Sequence, residues 1–133
     1  MTVAAPLSHV PVAELRDVWP KIRDHVSWIS ERTSQPWIAE DVYHEILVGN
    51  AYLWMTPDRE SFVVLQVQVA PYTRDLHVWL ASNQAEANAA AYWPQLLAIG
   101  REALCNRVEF ESPRRWERAV PGLTVRHLYS QAT

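Results

Sequence analysis

The chain has 133 residues, of which 49% are hydrophobic and 20% are charged, and its formal net charge is −3. This size and composition predict one globular domain over residues 1–133, and the weak negative charge argues against binding to nucleic acid or to an anionic membrane. The single cysteine, Cys105, excludes an internal disulfide, and no Cys/His spacing typical of zinc sites is present. We therefore expect no metal site. Because no apolar run approaches the about 20 residues that span a bilayer, we also expect a soluble protein.

Two helices are predicted after an irregular segment at residues 1–11. From Val12 onward, apolar residues recur at spacings of three and four, which indicates one buried helix face formed by Leu15, Val18, Trp19, Ile22, Val26 and Ile29. Pro20 interrupts this pattern, so we expect a kink there or a division into two helices. A second amphipathic helix is predicted at Ala39–Val48, and Gly49 follows it as a C-terminal cap.

Three strands joined by turns come next. They are predicted at Ala51–Thr56, Ser61–Ala70 and Leu76–Ala81, and the middle one shows the clearest alternation of apolar and half-polar positions. Successive strands with such short connections predict an antiparallel meander. Alternation in the third strand places its side chains on two faces, with Leu76, Val78 and Leu80 on one and His77 and Trp79 on the other.

The last part of the chain alternates helices and strands. An alanine-rich helix at Gln84–Ala91 precedes the main helix, which begins at Trp93 after a break that Pro94 favours. Gly100 lies in the apolar stripe of the main helix and predicts close packing against the sheet. The remaining predicted elements are a strand at Arg107–Ser112, a short helix that begins at Pro113 and ends at Pro121, and a final strand at Leu123–Tyr129.

These elements predict an α+β fold with a mixed, mainly antiparallel sheet flanked by helices, in the order ααβββαβαβ. That order resembles the GNAT fold of acetyl-CoA-dependent N-acetyltransferases without its last strand. Four local motifs accompany it, namely VWPKI at 18–22, W-x-x-E-D-V-Y at 37–43, L-x-G-x-A-x-L-W at 47–54 and RRWERAVPG at 114–122. Through them nearly the whole chain resembles the small GNAT-like proteins encoded among the structural genes of tailed bacteriophages.

One turn departs from the pattern that the resemblance implies. Active GNAT enzymes hold the acetyl-CoA pyrophosphate on a Gln/Arg-x-x-Gly-x-Gly/Ala turn, whose N–H groups lie at a helix N-terminus. The corresponding turn here has no glycine and no arginine, and consists of Ser82, Asn83, Gln84, Ala85 and Glu86. Glu86 would also repel the phosphates. The turn is therefore interpreted as degenerate, and no cofactor is predicted.

An acetyltransferase also needs a base for the proton of the amine and an acid for the departing thiolate. If the protein is an enzyme, the candidate bases are His77 and Glu109 on predicted strands, and Tyr129 is the candidate acid. The three residues lie on different strands and share no motif. A histidine in a half-buried strand is more often a packed or surface residue than a catalytic one.

Seven tryptophans are many for a chain of this length. Most are expected in the core, and one or two are expected on a partner surface, where tryptophan is enriched. We assign Trp54, Trp79 and Trp116 to that surface because each falls on the more polar side of its element or on a short exposed helix. Arg114 and Arg115 are assigned to it as well, and a salt-bridged surface is the alternative for this basic pair.

The resemblance and the degenerate turn together favour a non-enzymatic role. We predict a virion-associated tail or assembly protein, made in the host cytoplasm, that binds other phage structural proteins and forms a homo-oligomer or joins a ring. The alternative is an acetyl-CoA-dependent N-acetyltransferase that acts on a small amine or a protein. An effector that targets a host protein is a third possibility.

Overall fold

The computed structural model describes residues 6–112 and 116–133. Its elements in chain order are β1 (Ser8–His9), α1 (Val12–Arg32), α2 (Ala39–Leu47), β2 (Tyr52–Met55), β3 (Phe62–Ala70), β4 (Thr73–Ala81), α3 (Asn83–Ala87), α4 (Ala89–Glu102), β5 (Arg107–Phe110) and a 3₁₀ turn (Trp116–Arg118). The strands form one sheet in the order β1-β2-β3-β4-β5. Neighbours from β1 to β4 are antiparallel, and β4 and β5 are parallel. The α+β class and the mixed sheet are thus as predicted.

The helices cover both faces of this sheet. α1 and α2 pack on one face, where the largest fully buried side chains include Leu15, Val26, Val42, Ile46, Leu53, Met55 and Val64. A second cluster lies on the other face beneath α3 and α4 and includes Leu65, Leu76, Ala85, Tyr92 and Leu96. Within the described ranges, no helix is long and apolar enough to cross a membrane.

The predicted division into two helices at Pro20 is wrong, because α1 continues through it from Val12 to Arg32, and the alternative of a kink stays a prediction. α4 likewise contains Pro94 in its interior. Both prolines are exposed. A carbonyl that loses its helical donor at such a position can bond to water, which lowers the cost of the proline. The break that does occur lies at Asn88, which is both the C-cap of α3 and the N-cap of α4.

A β-bulge changes the alternation of β4. Val64 of β3 pairs with Leu80, and Leu65 pairs with Val78, so Trp79 is an extra residue in the ladder. As a result, Trp79 and Leu80 both pack against the cluster beneath α1 and α2, whereas Val78 packs with the cluster beneath α3 and α4, which we call the α4 cluster. The prediction that Leu80 shares a face with Leu76 and Val78 is therefore wrong.

Close packing at Gly100 is confirmed. A Cβ atom added at this glycine would lie 3.0 Å from Cγ2 of Val108 on β5. The absence of a side chain on Gly100 therefore allows α4 to approach the parallel end of the sheet.

The predicted final strand at Leu123–Tyr129 is wrong, because residues 123–133 adopt no helix or strand. Val125, Leu128 and Tyr129 in this segment are exposed, with Leu128 at 82% and Tyr129 at 86%, and Leu123 is half-buried. An alternating pattern specifies a strand only where one face can be buried. This segment has no such buried face.

Candidate functional site

β4 and β5 part at one end of their ladder. The last pair of the ladder is Val78 with Phe110, but β4 continues to Ala81. A cleft of about 140 Å³ lies at this end and is bordered by β4, by the residues that follow β5 and by α3 and α4. We call it the β4–β5 cleft.

Aromatic side chains dominate the wall of the β4–β5 cleft. They come from five parts of the chain and are Trp37, Trp79, Tyr92, Trp93, Phe110 and Trp116. Their rings pack in edge-to-face pairs, at 5.5 Å between Trp37 and Trp79 and at 5.5 Å between Trp93 and Phe110. Such mutual packing gives a firm apolar wall. Sequence reasoning missed this cleft, because nothing in the spacing of the tryptophans shows that they converge.

The residues assigned to a partner surface have mixed positions. Trp79 and Trp116 line the cleft. Trp54 is half-buried beside the ring of His9, at 5.5 Å, and packs against the α4 cluster. Arg114 and Arg115 lie outside the described residues. The assignment of these five residues to an interface stays a prediction.

The structure brings two of the three candidate catalytic residues together. His77 and Glu109 are direct partners in the β4–β5 ladder, and Nδ1 of His77 lies 3.6 Å from Oε1 of Glu109. Their side chains are only 17% and 21% exposed. Nδ1 of His77 is buried and has no hydrogen-bond partner among the described residues. This nitrogen therefore faces the Glu109 carboxylate without a hydrogen bond to it.

Other contacts define the surroundings of the pair. The guanidinium of Arg126 donates to Oε2 of Glu109 and holds the carboxylate from its far side. The next ladder pair along the strands is Val78 with Phe110, where the cleft begins. His77 and Glu109 are thus one ladder position away from the cleft and are not among the residues that line it. Tyr129 is 86% exposed and its ring stacks on His127, so the candidate acid is not part of this half-buried pair.

The turn before α3 is rigidly bonded within the protein. Ser82 is fully buried, and its Oγ accepts hydrogen bonds from the N–H groups of Phe62, at 3.0 Å, and Ala85, at 3.3 Å. The carbonyl of Ser82 accepts from the N–H of Glu86 at 2.9 Å. The N–H of Asn83 donates to Nε2 of His25 at 3.3 Å. Protein groups therefore occupy three of the four N–H groups from Asn83 to Glu86.

Burial lowers the pKa of His25, and the nearby carboxylate of Glu86 opposes this effect. The imidazole is consequently neutral at pH 7, as an acceptor must be. These residues fit acetyl-CoA only in part. The apolar cleft suits a thioester and its slender arm, but the turn has no glycine, and three of its four N–H groups are already bonded within the protein and are not free for a pyrophosphate.

No protein-family model matches the chain, and no curated protein matches it significantly. Solved structures do resemble it. A probable acetyltransferase has a TM-score of 0.63 at 9% identity and covers 96% of this chain and 95% of its own. The ribosomal-protein-alanine N-acetyltransferase of Brucella melitensis biovar Abortus 2308 has a TM-score of 0.61 at 12% identity and covers 96% and 100%. A putative acetyl transferase from Pyrococcus furiosus has a TM-score of 0.57 at 11% identity and covers 96% and 99%.

These neighbours contradict the prediction of a non-enzymatic virion protein, because proteins named as acetyltransferases match over almost the whole chain. They favour the N-acetyltransferase alternative instead. The phage setting, the virion location, the homo-oligomer and the phage partners have no support in these comparisons. At 9–12% identity the likeness shows the fold, and the chain has a GNAT-like fold.

Proposed function

We propose that the protein is an N-acetyltransferase. It takes an acetyl group from a thioester of the acetyl-CoA type and passes it to a primary amine of a small molecule or a protein. The observation that carries the proposal is the half-buried His77–Glu109 pair, 3.6 Å apart and one ladder position from the pair at which the β4–β5 cleft begins. A GNAT-like fold in neighbours named as acetyltransferases supports the same reaction class.

The thioester arm would lie along the open edge of β4. Residues 79–81 border the cleft on the side from which β5 has departed. An extended arm that contains amide groups can bond to such an edge as an added strand does. The aromatic wall would then exclude water from the reacting carbonyl.

The amine would enter an acidic environment. Glu86 and Glu111 are the charged residues among the described lining residues of the cleft. Their carboxylates attract a protonated amine, which raises its local concentration. This charge favours a cationic acceptor over a neutral or anionic one.

The transfer makes one bond, breaks another and removes two protons from the protonated amine. The first proton goes to solvent, and the neutral nitrogen then attacks the thioester carbonyl and forms an N–C bond while the His77–Glu109 pair takes the second proton. Backbone N–H groups along the open edge of β4 would stabilise the oxyanion. The C–S bond then breaks, and the sulfur leaves as a thiolate that takes up a proton from solvent or from the pair.

Thiol release with a colorimetric thiol reagent tests this function. The purified protein would be incubated with acetyl-CoA or S-acetylpantetheine and with three acceptors, namely spermidine, a peptide with an N-terminal alanine and a peptide with an internal lysine. We expect amine-dependent thiol release with at least one acceptor. Release no faster than in buffer for every combination would contradict the proposed function.

A further inference from the structure

We infer that the described residues recognise the acyl donor through the thioester arm alone and offer no binding site for the nucleotide phosphates. A donor that lacks the 3′-phospho-ADP group of acetyl-CoA, such as S-acetylpantetheine, should therefore bind as well as acetyl-CoA itself. The inference rests on the proposed function, because it names the donor class of the same cleft. Four observations on the described residues support it.

The first observation concerns hydrogen-bond donors. A phosphate at a helix N-terminus needs N–H groups that have no other partner. In α3 the N–H of Asn83 is bonded to His25, that of Ala85 to Ser82 Oγ and that of Glu86 to the Ser82 carbonyl. A phosphate could gain these donors only by displacing protein groups.

The second observation is that these protein groups are fixed in place. Ser82 is fully buried, and its Oγ also holds the N–H of Phe62 on β3. His25 belongs to the 21-residue helix α1 and packs edge-to-face on Phe62, with ring centroids 5.5 Å apart. Rearrangement of the turn would therefore leave buried polar groups unpaired, which is costly.

The third observation concerns charge. The described residues that line the β4–β5 cleft include Glu86 and Glu111 and no lysine or arginine. Glu86 is the fourth residue of α3, in the first turn where a pyrophosphate would sit. A carboxylate at this position repels phosphate, so the local electrostatics oppose a nucleotide and favour an uncharged arm.

The fourth observation concerns size. The cleft volume of about 140 Å³ is below the range of about 300–1,000 Å³ typical of sites that enclose a drug-sized ligand. It suits the acetyl group and the adjoining part of a linear arm. Any larger group attached to the arm would extend into solvent.

Isothermal titration calorimetry on the full chain can separate the two parts of the donor. The three probes are S-acetylpantetheine, acetyl-CoA and adenosine 3′,5′-bisphosphate. We expect the dissociation constants of the first two to agree within about threefold, which is smaller than the tenfold difference that 1.4 kcal/mol represents. We expect no heat of binding for the bisphosphate.

Binding of acetyl-CoA about tenfold or more tightly than S-acetylpantetheine, or measurable binding of the bisphosphate, would overturn the inference and leave the proposed function in place. Failure of both thioesters to bind would overturn the inference together with the proposed function. The Ala91→Leu variant provides a control, because Ala91 is an exposed residue of α4 that does not line the cleft. Its donor affinity should be unchanged.

Discussion

His25 of α1 accepts a hydrogen bond from the backbone N–H of Asn83, the first residue of α3, at 3.3 Å. The two residues lie 58 positions apart in the chain. The contact joins the helix layer on one face of the sheet to the turn that follows β4. The imidazole of His25 thus takes up an N–H group of the turn. In a GNAT fold with a glycine turn, the N–H groups of this turn bind a phosphate instead.

The state of His25 should make stability depend on pH. Because burial lowers its pKa in the folded protein, the unfolded chain binds the proton at higher pH than the folded chain does. The free energy of unfolding should therefore decrease as the pH falls below about 6.5, the ordinary pKa of histidine, and continue to fall through the lowered folded value. Urea denaturation at pH 7.5, 6.5 and 5.5 would measure this.

The His25→Gln variant is the control for that measurement. Its side-chain carbonyl can accept the Asn83 N–H without titrating, so its unfolding free energy should change less between pH 6.5 and 5.5 than that of the wild type. Glu40 and Asp58, whose pKa values are lowered chiefly by hydrogen bonds from Arg23 and Thr56, titrate in both proteins and cancel in the difference. Identical pH dependence in the two proteins would show that His25 is not the titrating group.

Removal of the proton acceptors should abolish most of the amine-dependent thiol release. His77→Gln and Glu109→Gln preserve approximate size but remove the base, and general acid–base catalysis contributes about 10²–10⁴-fold in rate. We expect kcat to fall by that factor in each variant. His44→Gln is a matched control, because His44 is an exposed histidine on α2. A fall in kcat of the same size in His44→Gln, or no fall in Glu109→Gln, would contradict the assignment.

Filling the cleft should block the donor. Ala81 lies at the end of β4 and lines the cleft, so Ala81→Leu places three additional carbon atoms in the path of the arm. We expect the dissociation constant of S-acetylpantetheine to rise about tenfold or more, as measured by calorimetry. Ala91→Leu adds the same atoms at an exposed position of α4 and should leave the dissociation constant unchanged. Equal affinity in both variants would place the donor elsewhere.

Gly100 and Val108 should be energetically coupled. Gly100→Ala adds a methyl group that would meet Val108 Cγ2 at 3.0 Å, and overpacking costs about 1–3 kcal/mol, against a helix-propensity gain of about 1 kcal/mol. We therefore expect net destabilisation of about 0–2 kcal/mol. In the Gly100→Ala/Val108→Ala double variant the clash is gone. The two changes should then be non-additive by about 1 kcal/mol or more in a double-mutant cycle, measured by urea denaturation.

Much of the fold could be predicted from local pattern. The recurrence of apolar residues in α1 marks its one buried face, which is visible in the sequence. The apolar run that begins β3 is also visible there, and its residues Phe62–Leu65 are buried on both faces of the sheet. The prediction of a final strand was wrong because that segment has no buried face. Leu128 and Tyr129 belong to an alternating segment but bury nothing, and alternation without burial does not specify a strand.

The candidate site could be predicted only in part. His77 and Glu109 were identified by residue type, but their proximity depends on the parallel register of β4 and β5, which local sequence does not specify. The cleft depends on the bulge at Trp79 and on four tryptophans from separate elements. The absence of glycine from Ser82–Glu86 was visible in the sequence. The hydrogen bond from the Asn83 N–H to His25 was not, because the two residues lie 58 positions apart.

Direct detection of the acetylated product by mass spectrometry tests the proposed transfer most directly. The protein would be incubated with each of the two thioesters, acetyl-CoA and S-acetylpantetheine, and with each of the three acceptors, with Glu109→Gln in parallel. We expect one acceptor to gain an acetyl group with the wild type. We expect Glu109→Gln to form at least about 10²-fold less of that product. No acetylated acceptor from the folded wild type, or equal product from the variant, would contradict acetyl transfer at the His77–Glu109 pair.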